Sequence, residues 1–376
     1  MSSRTAILLL SFGGPDKQED VIPFLENVTA GRGVPRDRLE QVATQYQHFG
    51  GKSPINDQNR ELQAKLQAEV NRRLTPGDEA IKVYWGNRNW DPYVADAFKQ
   101  MVDDGVERVL VVVTSGYSSY SSCRQYREDL AAAIEQLETE GIEHSLTIDK
   151  IRRWSDHPAV VEVLADHVDR ALDQLSSEMR TSDKARLIFT THSIPEYQVV
   201  NSRAGSASED ELWGYVEQHE LVAQEITRLI SERRLGPGER FMGELVYQSR
   251  SGPPNQPWLE PDVNDYLAEL PGQGVEAVVV TPIGFASDHM EVKWDLDNEA
   301  ATTAQELGLK FERAATVGSD DRFVTALVDM VYERLNESPM SERPSLAPVG
   351  AAPDVCPANC CLGHGDPRPA LCGADS

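Results

Sequence analysis

The stretch GVEAVVVTPIGFASDHMEVKWDLDNEA, residues 274–300, contains the strongest fold signal of the chain. Its apolar, β-branched run at 277–280 predicts a strand buried on both faces, as in a parallel sheet. A Pro/Gly turn follows and then the start of a helix, for which Ser287 or Asp288 is the expected N-cap. A buried strand that leads through a tight turn into a helix is the repeating unit of an open α/β sheet.

The helix that this stretch opens carries acidic side chains at a regular spacing. Glu291, Asp295 and Glu299 occupy every fourth position, so an α-helix stacks them along one face, close to His289. A solvated acidic face is the commoner fate of such a run, because like charges cost little there and much more once they are desolvated. This ladder starts where a buried strand ends, however, and open α/β sheets bind ligands at that place. We therefore interpret it as a path for cations or protons.

Strand-like and helix-like segments alternate through the rest of the chain. The predicted strands cover residues 6–12, 81–85, 108–114, 145–150, 187–191, 244–248, 277–280 and 309–312. This alternation predicts two similar, doubly wound (Rossmann-like) parallel-sheet domains that face each other across a cleft. We place them at 1–155 and 156–337, followed by a tail at 338–376 that is rich in Pro, Ala, Gly and Cys.

The charge of the chain limits its partners. With 36 basic against 61 acidic residues, the net charge of −25 argues against nucleic acid and anionic membranes as partners. No apolar run approaches the roughly 20 residues of a membrane span. The first residues lack the pattern of a signal or transit peptide. We therefore expect a cytoplasmic protein.

The cysteines are unevenly distributed. Four of the five lie beyond residue 355, at Cys356, Cys360, Cys361 and Cys372, whereas Cys123 is internal. In a cytosolic chain such clustering favours metal binding over disulfides. A [2Fe–2S] cluster takes four thiolates, and the first three tail cysteines therefore need a fourth, either Cys123 or Cys372. A zinc site with four thiolates is the rival interpretation, and a disordered tail with spare thiols is the remaining alternative.

A histidine ends another buried strand. His192 follows the run at 187–191 just as the acidic ladder follows the run at 277–280. A lone histidine is more often a satisfied core group than a ligand or base. Because parallel strands end at one edge of their sheet, however, His192 and Glu291 are expected to meet there. An imidazole and a carboxylate across a cleft can accept protons or hold a divalent metal.

Four motifs resemble those of the ferrochelatases. They are THSIP at 191–195, GFASDHME at 284–291, GGKSPI at 50–55 and YQSR at 247–250, and they occur in the family's order over about residues 5–336. The pair HSIP and SDHxE is the specific part of the match. More narrowly, the chain is similar to the actinobacterial branch, which uses coproporphyrin and has a cysteine-rich tail. The resemblance implies a chelatase-type fold and an enzyme of heme biosynthesis that inserts Fe²⁺ into coproporphyrin III to give coproheme.

The resemblance also implies roles for individual residues. His192 would be the catalytic imidazole and Glu291 its carboxylate partner, and both would ligate the substrate Fe²⁺. The residues implied around this pair are Asp295 and Glu299 as the path for iron or protons, and Asp288 and His289 as the groups that orient Glu291.

Candidate porphyrin contacts come from the loops at strand ends. Phe12 stands where many bacterial relatives have a tyrosine, so we expect it to pack against the ring rather than to supply an oxygen ligand. Donor side chains suited to ring carboxylates, together with aromatic groups at the ring's edge, are Arg32, Tyr46, Ser53, Arg88, Tyr126 and Trp258. A polar mouth without an apolar lip favours coproporphyrin, which has four propionates, over protoporphyrin, which has two.

For the tail, the resemblance favours a [2Fe–2S] cluster on Cys123, Cys356, Cys360 and Cys361, because some family members use an internal cysteine. A protoporphyrin IX ferrochelatase and a non-catalytic tetrapyrrole- or heme-binding protein remain the alternatives for the whole chain. We expect a monomer whose partners are the porphyrin, Fe²⁺ and enzymes downstream in heme synthesis.

Overall fold

Two four-stranded parallel sheets form the centre of the molecule. The computed structural model describes residues 4–31, 33–77, 79–203, 213–252 and 255–374. The strands of the first sheet are Thr5–Ser11 (β1), Lys82–Asn87 (β2), Arg108–Val113 (β3) and Thr147–Lys150 (β4). Those of the second are Ala185–His192 (β5), Met242–Gln248 (β6), Ala277–Thr281 (β7) and Lys310–Arg313 (β8).

The two sheets repeat one topology. The first has the strand order β2-β1-β3-β4 and the second β6-β5-β7-β8, with every pairing parallel. In each sheet the connections therefore reverse direction between the two central strands, β1 and β3 or β5 and β7. Crevices for ligands form at this switch point, outside the carboxyl ends of the strands. The prediction of two similar doubly wound parallel sheets is confirmed.

Helices cover both faces of the sheets. The α-helices are Val21–Val28 (α1), Arg36–His48 (α2), Ile55–Arg73 (α3), Val94–Asp103 (α4), Gln125–Thr139 (α5), Pro158–Leu172 (α6), Glu196–Ser202 (α7), Tyr215–Arg234 (α8), Val263–Glu269 (α9), Ala301–Glu306 (α10) and Asp321–Leu335 (α11). In the part of the chain that the structure describes, no helix is long and apolar enough to cross a bilayer.

One apolar cluster joins the two sheets. It takes Leu9 and Leu110 from the first sheet, Phe189 and Val279 from the second, and the buried faces of α3, α6, α8 and α11. Helix α11 also packs against α3, so the end of the second half rests on the first. A separate, smaller cluster lies in the hairpin of α1 and α2, and Met290 of the second half inserts into it.

Candidate active site

His192 and Glu291 meet at the switch point of the second sheet. His192 is the last residue of β5, and Glu291 lies in the first helical turn beyond the neighbouring strand β7. His192 Nε2 is 3.8 Å from Glu291 Oε1, and the two side chains are 30% and 51% exposed. This distance is too long for a direct hydrogen bond. It suits a proton or a divalent cation held between the two groups.

The backbone selects the tautomer of His192. Its Nδ1 lies 2.5 Å from the carbonyl oxygen of Ser193 and donates its hydrogen there. With Nδ1 engaged, Nε2 is the ring nitrogen that faces Glu291. Tyr215 of α8, which sequence reasoning missed, donates its hydroxyl to the carbonyl of His192 at 2.8 Å and lies 2.7 Å from Thr191 Oγ1. Only the fold reveals Tyr215, because it is 23 positions away along the chain.

The turn before Glu291 is organised by two neighbouring side chains. His289 Nδ1 accepts the backbone N–H of Glu291 at 3.2 Å, so His289, and not Ser287 or Asp288, caps this helix start. Burial lowers the pKa of His289, which keeps the accepting nitrogen unprotonated. Asp288 instead forms a salt bridge with Arg313, whose Nη2 lies 2.9 Å from its Oδ2. A charged guanidinium is a stronger hydrogen-bond donor to a carboxylate than a backbone N–H.

The acidic ladder lies on a π-helix. Residues Val292–Ala300 have π winding, with hydrogen bonds from i to i+5, and α10 follows without a break. The helix is present as predicted, but its winding over this segment is π and not α. The indole Nε1 of Trp294 donates to Glu299 Oε1 at 2.7 Å, a contact that spans five positions. π segments are rare and occur most often at functional sites.

Asp295 is the partly buried member of the ladder, whereas Glu291 and Glu299 are exposed. Ser249, just beyond β6, donates its hydroxyl to Asp295 Oδ2, and Gln248 Nε2 lies 3.4 Å from the same oxygen. Ser249 reaches it from a left-handed backbone conformation, with φ of 62°, a strain typical of functional sites. Burial raises the pKa of Asp295 to about 7, helped by the charges of Glu291 and Glu299 and opposed by the Ser249 hydrogen bond.

We expect Asp295→Asn to change how stability depends on pH. With a folded pKa of about 7, Asp295 keeps its proton in the native state at pH values where the unfolded chain has lost it. The contribution of Asp295 to the stability of the wild-type protein therefore falls as pH rises from about 4 to 7 and then levels off. The difference in thermal midpoint, Asp295→Asn minus wild type, should grow over that interval. The control, Glu306→Gln, removes an exposed carboxylate of α10, whereas the charges that raise the pKa of Asp295 come from Glu291 and Glu299, so the wild-type trend should stay in place. A flat difference for Asp295→Asn would contradict the raised pKa.

An aromatic wall leads from the first sheet to this pair. Phe12, just beyond β1 and 37% exposed, meets Phe24 edge-on at 6.3 Å between ring centroids. Phe24 in turn contacts Tyr46 at 6.1 Å and Trp90 at 6.2 Å. Burial, and then the charge of Glu291, raise the pKa of Tyr46, which therefore stays a neutral phenol beside the carboxylate. An exposed aromatic face and the imidazole–carboxylate pair thus lie along one wall.

The other candidate contacts lie at different depths. Arg88 pairs with Asp129, stacks 4.6 Å from the ring of Tyr126 and has a side chain only 5% exposed. Tyr126 is 4% and Ser53 3% exposed. Trp258 pairs with Pro195 through an isolated β-bridge, beside the loop that follows His192. Arg32 lies outside the described residues.

Four of the cysteine thiols contact each other. Cys356, Cys360 and Cys361 form a buried cluster with Cys123, which lies in the short π segment Tyr120–Arg124 before α5. Cys360 Sγ is 3.4 Å from Cys361 Sγ. The fifth, Cys372, directs its Sγ to the carbonyl of Ile148 at 3.6 Å instead. Within the described ranges, no group of three or more His, Cys, Asp or Glu side chains is arranged as ligands around one metal ion.

The tail is tied to the body on both sides of these thiols. Arg127 of α5 exchanges two bonds with Leu371, Nε to the carbonyl at 2.6 Å and carbonyl to N–H at 3.1 Å. Asn201 of α7 does the same around Cys361, accepting its N–H at 3.2 Å and donating Nδ2 to Leu362 O at 2.8 Å. The tail therefore bridges α5 and α7.

The chain matches one protein family and several known proteins over most of its length. The ferrochelatase family model matches residues 4–335. A coproporphyrin III ferrochelatase of Streptomyces coelicolor is 50% identical, over 99% of this chain and 96% of its own. Another, of Leifsonia xyli, is 48% identical over 95% and 90%. Among solved structures, SirB from Bacillus subtilis with Fe³⁺ covers 91% of this chain and 99% of its own at 12% identity and a TM-score of 0.47. On the family match and the near-complete relatives, this chain belongs to the ferrochelatase family.

Proposed function

We propose that the chain is a coproporphyrin III ferrochelatase, which inserts Fe²⁺ into coproporphyrin III to give coproheme. The observation that carries the proposal is the imidazole–carboxylate pair His192 and Glu291, 3.8 Å apart at a sheet's switch point. The relatives that are 48–50% identical over nearly the whole chain support the substrate.

The reaction requires the exchange of two pyrrole protons for one divalent iron. The side chain of His192 is 30% exposed and its Nε2 faces Glu291, so this nitrogen can accept the first proton or hold the incoming iron. Glu291 faces the same space and accepts the second proton or shares the metal. No oxidation state changes, because the iron enters as Fe²⁺ and the two hydrogens leave as protons.

Protons or iron then need a route between this pair and solvent. We assign it to Asp295 and Glu299, of which Asp295 is partly buried and Glu299 exposed. A carboxyl group with a pKa near 7 can both take up and release a proton at cellular pH. Ser249 orients Asp295 through its hydroxyl, and Asp288 and His289 hold the turn that presents Glu291.

Phe12 supplies the apolar surface against which a porphyrin face packs. Arg88 is already paired with Asp129, so it would have to leave that partner to meet a propionate. Its present contacts suit a role in shaping the wall under Phe12, since its guanidinium lies 5.6 Å from that ring.

A competition between porphyrins tests the substrate. With Fe²⁺ and equal amounts of coproporphyrin III and protoporphyrin IX, we expect coproporphyrin to be metallated at least tenfold faster, because a charge-assisted hydrogen bond to one extra propionate is worth about 1.5–3 kcal/mol. The measurement is the loss of each free-base absorption in anaerobic solution. Equal or faster use of protoporphyrin would instead favour a protoporphyrin ferrochelatase. Binding without any loss of free-base absorption would favour a non-catalytic carrier.

We also propose that Cys123, Cys356, Cys360 and Cys361 hold a [2Fe–2S] cluster. The residues fit it in number and kind, since four mutually contacting thiols are available and a binuclear cluster distributes them over two irons. Cys361 and Asn359 have left-handed backbone conformations, with φ of 58° and 60°. Such strain persists only where the surroundings demand it.

The protonation of these thiols supports a metal-bound group. Hydrogen bonds with Cys123 and Cys360 lower the pKa of Cys356, whereas hydrogen bonds with thiol neighbours raise the pKa of Cys360 and Cys361. The four thiols therefore resist becoming thiolates together unless a cation compensates their charge. Bound iron supplies that charge and links the start of α5 to the tail.

A further inference from the structure

Lys150 is a buried ammonium group with no carboxylate partner in the part of the chain that the structure describes. It is the last residue of β4 and is 6% exposed. Among the described residues its Nζ has one hydrogen-bond acceptor, the carbonyl of Ile151, at a long 3.4 Å. A single weak carbonyl contact does not replace the water that a buried ammonium has lost.

Two other buried cations of this region have carboxylate partners. Arg124 pairs with Glu128 at 3.1 Å, and Arg152 pairs with Glu333 at 2.8 Å. Both guanidinium groups are almost fully buried, with side chains 2% and 0% exposed. Lys150 thus differs from Arg124 and Arg152 in its counter-charge and not in its burial, whereas Arg127, also buried, donates to the carbonyl of Leu371.

The counter-charge available to Lys150 is sulfur. Burial lowers the pKa of Lys150, but the charges of Cys356, Cys123 and Cys372 outweigh it and raise the pKa overall. Lys150 and Cys123 also line one cavity of about 30 Å³, together with Arg127 of α5. A cavity of that volume has room for water but is too small for a substrate.

We propose that Lys150 is the charge-balancing residue of the thiolate site, which stabilises the bound cluster and raises its reduction potential. The inference deepens the proposed [2Fe–2S] site and rests on it. A cluster with four thiolate ligands is net negative, and one-electron reduction adds a further negative charge. A fixed cation beside the ligands favours the reduced form more than the oxidised form, because net charge is one of the determinants of cluster potential.

The test compares Lys150→Met with Lys150→Arg, wild type and Lys99→Gln, all purified without oxygen. Lys150→Met keeps the length and apolar stem but removes the charge, and Lys150→Arg restores it. Lys99 is a surface lysine paired with Glu140 at 2.8 Å, so its change controls for the loss of one positive charge in the same half of the chain. The readouts are iron and acid-labile sulfide per chain, and the midpoint potential from a redox titration followed by visible absorption.

In Lys150→Met we expect the ratio of oxidised to reduced cluster at a fixed potential to rise at least tenfold. For a one-electron couple this corresponds to a fall of about 59 mV in the midpoint potential. If the variant instead folds but retains less than about a fifth of the wild-type cluster, the stabilising half of the proposal is supported, provided that Lys150→Arg recovers the content. Full cluster content with an unchanged midpoint in Lys150→Met overturns the inference and leaves the cluster itself intact. Wild-type protein without iron and sulfide overturns the cluster proposal, and the inference with it.

Discussion

Replacing His192 by alanine is expected to lower the rate of Fe²⁺ insertion by about 10²–10⁴-fold, the usual contribution of a positioned proton acceptor. The reason is geometric. His192 has one free nitrogen, its Nε2, and that atom faces Glu291 at 3.8 Å. Alanine removes the acceptor while Tyr215 continues to hold the backbone carbonyl at this position. Porphyrin binding should therefore change little.

The measurement pairs anaerobic turnover with porphyrin binding, the latter followed by the spectral shift of the free base. His144→Ala is the matched control, because His144 bonds the backbone N–H of Leu146 just before β4, at the opposite end of the strands. Turnover of His192→Ala within threefold of wild type would remove the imidazole from the mechanism. Loss of binding and turnover together would indicate that His192 holds the porphyrin instead.

Replacing Cys123 by alanine is expected to abolish the cluster, whereas Cys372→Ala retains it. Cys123 contacts the tail thiols, but Cys372 points to the carbonyl of Ile148. A site with three thiolates lacks one of the four ligands that a [2Fe–2S] cluster takes. Visible absorption, with iron and sulfide analysis of anaerobically purified protein, should fall to background in the first variant and match wild type in the second.

The same pair of variants separates the competing arrangements of the tail. If Cys372→Ala loses the cluster and Cys123→Ala retains it, the fourth ligand is Cys372 and not Cys123. Colourless wild-type protein that contains zinc would replace the cluster with a tetrathiolate zinc site. Both variants remove one thiol of similar size, so a general loss of packing affects them alike.

The central strands β1, β3, β5 and β7 were predictable from the sequence because their interiors are almost uniformly apolar, whereas the edge strands β4 and β8 are short and polar. The run at 277–280 is fully buried, as a strand between two helical layers must be. The meeting of His192 with Glu291 followed from the same reasoning, since neighbouring parallel strands end at one edge. The position of this pair is therefore determined by the sheet and not by contacts between distant parts of the chain.

Other features depend on contacts that periodicity does not encode. The π winding of Val292–Ala300 adds one residue to each hydrogen-bonded ring, and local propensity does not distinguish it from an α-helix. The pairing of Arg88 with Asp129 joins side chains 41 positions apart, so an arginine expected at a ligand is held in the wall. Tyr215 is in the same category, as a buried phenol on α8 that contacts the backbone of β5.

The apolar cluster that joins the two sheets restricts how the molecule can move. Since Leu9 and Phe189 belong to one continuous interior, swinging the halves apart would expose it to water. A flat macrocycle must therefore gain entry without such a hinge. The hairpin of α1 and α2 has its own small interior, fastened to the second half by Met290. Opening of this hairpin exposes less apolar surface than separation of the two halves. We therefore expect the porphyrin to enter and leave on the side of the cleft where the hairpin lies.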